Sequence, residues 1–299
     1  MQELKKYSWV LLTALAFGTM EIALKIGGNV FSAYQLTFLR FLIGGFFLLP
    51  FAIHDLRKRG HKMTLGDWGF VLILAFVNIV VSMTLFQMSV MHSNATLSAV
   101  LISFNPMFTM IFAHFIASEK FTKMKGLVLF ICITGLILVA APWNLAAGNS
   151  VSGILMGLGA SIAFGLYTAL SKRRIGKLGG MALNSFSFIT GALMELVVLL
   201  ILGEPVISEG YAESIPLLIY VSVVVTGFGY FCFMKAIEKA GASTASYAFF
   251  VKPIIAMILA AIILGEVITW NIVLGIVVIV FGCFLNAWYQ KRHGVVKVG

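Results

Sequence analysis

The chain has 299 residues, 61% of them apolar and only 11% charged, with 21 lysines and arginines against 11 aspartates and glutamates for a net charge of +10. A soluble domain carries about 25% charged residues, so this chain cannot clothe a water-facing body, and an integral membrane protein is the class that remains. Cys132, Cys232 and Cys283 each stand alone in an apolar run, which gives no basis for a disulfide framework or a thiolate metal site.

A helix needs about 20 mostly apolar residues to cross a bilayer core, because lipid offers no partner to unpaired backbone groups. Ten such stretches follow in chain order: 7–26, 34–53, 68–88, 96–117, 124–142, 153–172, 183–202, 215–234, 243–264 and 270–289. The first follows Lys5 and Lys6 and holds Ala14-Leu15-Ala16, a pattern shared with signal peptides. With the N-terminus in the cytoplasm, 18 of the 21 basic residues fall on the inner side, among them Arg57 to Lys62, Lys120 to Lys125, Lys172 to Lys177, Lys235, Lys239 and Lys291 to Lys297. The opposite connections, 27–33, 89–94, 143–152, 203–214 and 265–269, hold no lysine or arginine, and one carries Glu204, Glu209 and Glu213. Both termini are therefore expected in the cytoplasm, in the plasma membrane. The positive charge is spread over lipid-facing ends and does not form a nucleic-acid face.

Shifting the chain by 147 aligns Ala16-Phe17-Gly18 with Ala163-Phe164-Gly165, Lys25 with Lys172, Gly44 with Gly191 and Phe86 with Phe233. In the same register Ala95 meets Ala242, Pro106 meets Pro253, Glu119 meets Glu266 and Gly135 meets Gly282. Proline and glutamate are scarce here, so their shared register marks a duplication. The expected units are 1–147 and 148–299, and the first helix, as half of a matched pair, is not expected to be cleaved. Five helices per unit is an odd number, so the second unit enters the membrane from the other side. The expected fold is thus an all-α integral membrane protein of ten transmembrane helices in two inverted five-helix repeats, an architecture of secondary transporters with a midplane site.

Three local patterns carry a family resemblance. Ala16-Phe17-Gly18-Thr19-Met20-Glu21-Ile22-Ala23-Leu24-Lys25 is similar to a first-helix W-G-S-N-F-x-x-x-K pattern, and Leu39-Arg40-Phe41-Leu42 to a second-helix L-R-F segment. Ala95 through Pro106 to Glu119, and Ala242 through Pro253 to Glu266, are similar to an A-x(10)-P-x(12)-E helix. In order, number and duplication these resemble the EamA family of the drug/metabolite transporter superfamily. The resemblance implies a carrier, many members exporting amino acids and related metabolites, with a central cavity between helices 1, 3, 4, 6, 8 and 9. Met20 and Glu21 depart from the family pattern.

Charges inside a membrane are costly and point to function; Glu21, Lys25, Arg40, Glu195 and Lys252 qualify. Lys252 lies about 13 Å into its helix, near the midplane. Its repeat partner is Asn105, and each precedes a proline that removes a backbone hydrogen bond. Lys252 either contacts a substrate carboxylate or phosphate or forms an internal ion pair with Glu21 or Glu195. Glu21 either loads a proton or cation or pairs with Lys25 or Arg40. Lys25 and Arg40 match residues common in the family and read as structural or gating. Tyr167, Tyr230, Tyr247, Met20, Met83 and Gln87 fall on helices that the resemblance places around the cavity. Lys252, Asn105, Tyr230, Tyr247, Tyr167 and Gln87 are the substrate-site candidates, and Glu21, Lys25 and Arg40 the coupling or gating ones. Glu195 falls on a helix the resemblance places outside the cavity. Glu119 and Glu266 read as caps at helix ends, and His114 as a buried, hydrogen-bonded imidazole or a proton relay.

No nucleophile elbow, zinc motif or dinucleotide fingerprint occurs, so no enzyme, metal or cofactor is expected. The expected function is secondary transport, export or exchange, of small polar metabolites such as amino acids, with proton coupling as an option. A multidrug or cation exporter and a non-transporting sensor are the alternatives, and the substrate, the direction and the oligomeric state are left open.

Overall fold

The computed structural model describes residues 2–119, 121–140, 150–208 and 211–293. Lys120, Glu209, Lys297 and most of the 143–152 connection lie outside them. No strand occurs among the described residues. In chain order, α1 comprises Gln2–Gly18 and Met20–Gly27, parted at Thr19. It is followed by α2 (Ala33–Arg59), α3 (Leu65–His92), α4 (Ala95–Ile116), α5 (Lys123–Ala140) and α6 (Val151–Leu178). The chain closes with α7 (Gly180–Leu202), α8 (Tyr211–Ala240), α9 (Ala242–Leu264) and α10 (Trp270–His293). Among the described residues, eight helices, α1 to α4 and α6 to α9, are long and apolar enough to cross a membrane, and α10 contains a shorter apolar stretch, Trp270–Gly282.

Several helices overrun their apolar stretches because their ends are capped. Ser32 and Gln35 form a capping box at the start of α2, and Thr64 and Asp67 form another at the start of α3. At the basic end, Asp67 is fully buried and accepts from Lys177 (2.8 Å) and Arg174 (3.1 Å), and lies 2.8 Å from His61, tying α3 to the last turns of α6. These turns carry charge beyond residue 172, where the side chains reach out of the apolar zone.

Two kinds of irregularity interrupt the helices. Phe76–Met83 in α3 and Tyr220–Phe228 in α8 are π-helical, overlapping in register under the repeat. Such wide turns free backbone groups and recur at functional sites. In addition, α4 is parted at Ser103 and Phe104, and α9 at Ser246 and Tyr247. At each break a serine hydroxyl bonds the carbonyl four residues back, Ser103 to Ala99 at 2.6 Å and Ser246 to Ala242 at 3.0 Å. The break in α4 directly precedes Asn105-Pro106, as the proline argument expects. In α9 it falls earlier, and Pro253 sits inside the α-helix Ala248–Leu264, because the local bonding of Ser246 sets the break.

The helices pack reciprocally. α4 packs on α6 and α9 on α1; α3 packs on α6 and α8 on α1; α2 packs on α8 and α7 on α3. Each contact in these pairs is the 147-residue counterpart of the other. α2 and α7, themselves counterparts, pack together, as do α5 and α10. Individual atoms repeat the relation: the Tyr230 hydroxyl donates to the sulfur of Met83 at 3.4 Å, and the Cys132 thiol faces the carbonyl of its counterpart Ile279 at 3.9 Å. α5 and α10 approach so closely that a Cβ on Gly135 would lie 2.6 Å from the Gly275 carbonyl oxygen, and one on Gly275 2.5 Å from that of Gly135. Only glycine permits such an approach.

The same reciprocity closes both ends of α4 and α9. Glu266, just past α9, accepts from the backbone N–H of Ala95 (2.8 Å) and Thr96 (3.2 Å) and from the Thr96 hydroxyl at the start of α4. Glu119, just past α4, accepts from the N–H of Ala242 (2.8 Å) and Ser243 (3.4 Å) and from the Ser243 hydroxyl (2.5 Å) at the start of α9. A carboxylate over orphan N–H groups is the favoured N-terminal partner, so both glutamates cap helices, each on the other half of the chain.

Candidate functional site

Apolar side chains fill most of the bundle interior, and among the described residues four charged groups besides Asp67 are buried with them at 0% exposure: Glu21, Arg40, Glu195 and Lys252. They come from α1, α2, α7 and α9. Glu21 stands in the first turn after the break at Thr19, where the helix start favours a carboxylate. Its Oε1 pairs with Nζ of Lys252. The Lys252 ammonium also lies 5.0 Å from the ring centre of Phe86 and 5.5 Å from that of Phe249, so aromatic faces supplement its single carboxylate.

Arg40 lies deeper in unmatched surroundings. Nη1 donates to the Met20 sulfur at 3.6 Å, and the guanidinium carbon lies 4.7 Å from the ring centre of Phe41. Nε and Nη2 have no hydrogen-bond partner among the described residues. Across from it, Glu195 accepts from the Thr84 hydroxyl through Oε1 at 2.8 Å, while Oε2 has none. Arg40 is within electrostatic reach of both Glu21 and Glu195.

Around these charges the sequence-predicted aromatics divide. Tyr230 is enclosed by Phe17, Phe41, Phe188 and Tyr167, with ring centres 4.8 to 6.4 Å away. Tyr167 is buried and donates to Asn184, whose amide in turn donates to the Tyr230 carbonyl at 3.3 Å. Tyr247 lies elsewhere, stacked on Phe250 in the cluster that α4, α5, α9 and α10 share.

The polar candidates divide as well. Gln87 is buried and donates to the Leu24 carbonyl at 3.3 Å, with Oε1 unpartnered among the described residues. The Asn105 amide donates to the Ile102 carbonyl at 2.8 Å, the acceptor that Pro106 leaves without its helical N–H. Lys25 does not pair with Glu21. Its ammonium caps the C-terminal end of α3 through the carbonyls of Val90 (2.9 Å), Met91 (3.3 Å) and Ser93 (2.6 Å). His114 departs from the sequence expectation of burial: it is exposed on the outside of α4, hydrogen-bonded to the Glu119 carbonyl at 3.0 Å.

Sequence reasoning did not find the Phe86 and Phe249 faces around Lys252 or the Thr84 contact of Glu195. Only the charge of Glu195 inside an apolar stretch signalled that position. The arrangement brings two cations and two carboxylates into the interior of a bundle of apolar helices, with Glu21 at a helix break and Glu195 bonded to Thr84 directly after a π-helical segment. Such a set can hold and release a charged small molecule, since each group can exchange one partner for another.

Comparison with known proteins addresses the family and the fold. An uncharacterized transporter of Clostridium kluyveri is 33% identical over 98% of this chain and 96% of its own length. The uncharacterized transporter YdfC of Bacillus subtilis is 27% identical over 91% of this chain and 88% of its own. A solved crystal structure shares the fold with a TM-score of 0.74, covering 96% of this chain and 98% of that one at 14% identity. The model of the EamA-like transporter family matches twice, over residues 4–141 and again over 151–288. A multi-pass helical bundle with charges at its centre, matched end to end by that model and related along its length to transporters, belongs to the EamA-like transporter family and is a membrane transporter.

Proposed function

We propose that this protein is a secondary transporter that exports or exchanges small polar metabolites such as amino acids by alternating access. In this reading ten helices form two inverted repeats, 1–147 and 148–299, with both termini on the cytoplasmic side of the plasma membrane. The observation that carries it is the buried ion pair of Glu21, in the first turn after the break at Thr19, with Lys252, inside the helical stretch that follows the break at Ser246 and Tyr247. Desolvating either charge alone costs several kcal/mol, on the order of 3 or more. A substrate anion that takes over Lys252 therefore has to be accompanied by a new partner for Glu21, either a proton or the substrate's own amine. Competition between amine and proton at Glu21 couples the two fluxes in opposite directions. The reciprocal packing of the halves supports an inverted repeat, and the alternation of basic and uncharged connections supports the orientation.

Counterflow and pH-driven flux in proteoliposomes, run over a panel of zwitterionic, anionic and cationic metabolites, test this reading. Lys252→Gln should abolish transport of anionic and zwitterionic compounds with the protein still folded. Glu21→Gln should keep substrate binding and lose the response to an imposed pH gradient. Unchanged uptake kinetics in Lys252→Gln for every such compound, or selective transport of cations alone, would overturn it.

A further inference from the structure

In the antiparallel pair of α2 and α7, Gln35 reaches the Pro205 carbonyl (2.5 Å) near one end. Farther along, Phe41 meets Phe188 with ring centres 4.8 Å apart, and Ser185 donates to the Gly45 carbonyl (2.9 Å). This register brings Arg40 and Glu195 to the same stretch of the pair. Both are fully buried, and no ion pair joins them. What each leaves unused is specific. Nε and Nη2 of Arg40 lie on one edge of the guanidinium, the edge that grips a planar carboxylate with two parallel hydrogen bonds. Oε2 of Glu195 is the free acceptor, its other oxygen being held by Thr84. Buried polar atoms are rarely left unmatched, and a charged donor edge and a charged acceptor buried on neighbouring helices with no ion pair between them fit a molecule that carries both charges.

We propose that Arg40 and Glu195 form a zwitterion-binding position that takes the carboxylate and the ammonium of a small α-amino acid. The substrate's side chain would lie against Phe41, Phe188 and Tyr230. The inference rests on the reading of the chain as a carrier of small polar metabolites, and it adds a position beside the Lys252–Glu21 pair. Binding at that pair has to break an existing ion pair, whereas Arg40 and Glu195 offer atoms already free of partners. Arg40 and Glu195 therefore receive the headgroup first.

The test uses the full chain in nanodiscs and measures binding of L-alanine, L-leucine and L-phenylalanine, each beside the amine lacking its carboxylate and the acid lacking its amine. The wild type should bind at least one amino acid about tenfold or more tighter than either truncated form. Arg40→Lys, which keeps the charge but loses the bidentate edge, should weaken the amino acid by about tenfold and leave the amine unchanged. Glu195→Gln should weaken the amino acid and the amine and leave the acid unchanged. Glu195→Asp, which withdraws the carboxylate, should show the same pattern if the glutamine variant fails to fold. Equal binding of an amino acid and its truncated forms, or wild-type discrimination in both the Arg40 and Glu195 variants, would overturn the proposal. That outcome leaves the Lys252 reading intact, because the transport loss in Lys252→Gln is measured separately. Conversely, normal transport in Lys252→Gln strikes that reading and leaves this one standing.

Discussion

Lys252 and Asn105 occupy matched positions, each directly before a proline, and the protein uses them differently. Asn105 turns its amide onto the carbonyl that Pro106 leaves free, so the side chain repairs its own helix. Lys252 leaves its helix and crosses to Glu21. Breaking a buried ion pair at one partner exposes the other as an uncompensated charge, which costs about 3 to 5 kcal/mol, whereas replacing both with apolar groups of similar volume is near neutral. Lys252→Met alone should therefore lower thermal stability in detergent sharply, and Glu21→Leu combined with Lys252→Met should recover most of the loss. A double variant no more stable than the single one would show that Lys252 is held by something other than Glu21. The four charges buried within apolar stretches were legible in the sequence, because a charge there needs no structure to be noticed, whereas Asp67, buried at the basic end, was not. The Lys252–Glu21 pair was among the alternatives the sequence offered, but the choice was not legible, because it depends on which helices meet: Glu21 had three cations to choose from, and the nearest in sequence, Lys25, caps α3 instead. Tyr247 shows the same limit. Its place in the chain is clear, but its direction toward Phe250 is set by the break at Ser246.

Helices are stabilised here by groups lying far away in the chain. Glu119 and Glu266 each satisfy two orphan N–H groups and a hydroxyl on a helix of the other half. Replacing a capping side chain by alanine costs about 1 kcal/mol, up to about 2. Glu119→Ala and Glu266→Ala should each lower the melting temperature, with the glutamine variants intermediate because an amide oxygen still accepts but carries no charge. Equal stability of alanine and wild type at either site would mean that the cap contributes nothing there. The close approach of α5 and α10 gives a sharper case. Gly135→Leu should force these helices apart, since even a Cβ would meet the Gly275 carbonyl at 2.6 Å, and the loss should show as reduced folded yield. Helix positions were readable from the length of the apolar runs, and the glutamate caps from their repeated spacing. The π-helical segments at 76–83 and 220–228 left no trace in composition, because a wide turn is imposed by packing against neighbouring helices and not by any residue type within it.

For the molecule as a whole, the orientation inferred from loop charge is open to direct measurement. Single cysteines at Asn29 and Lys177, placed in a background without the native cysteines, should label from opposite faces of intact cells. Labelling of both from outside would discard the inverted arrangement. The 147-residue internal register was visible in the chain itself, and the family model matches the chain twice, whereas the way matched helices pack, counterpart on counterpart, emerges only in the folded chain. One such interlock bears on how the two end states compare in energy. Under the proposed arrangement the Glu119 and Glu266 clasps sit at opposite ends of α4 and α9, and each is made of two amides and one hydroxyl. Opening either end then breaks nearly the same set of bonds, so the two opened forms differ by the small dissimilarities between clasps. Threonine stands in one where serine stands in the other, and Lys125 lies 3.8 Å from Glu119 while its counterpart beside Glu266 is Ile272. Even at the about 0.2 to 1 kcal/mol of a surface ion pair, this half-buried pair corresponds to a population ratio between near one and about fivefold. The resting bias of this carrier would thus be tuned by the cations beside each clasp, and Lys125→Met should shift labelling at the Glu119 end upward without altering the fold.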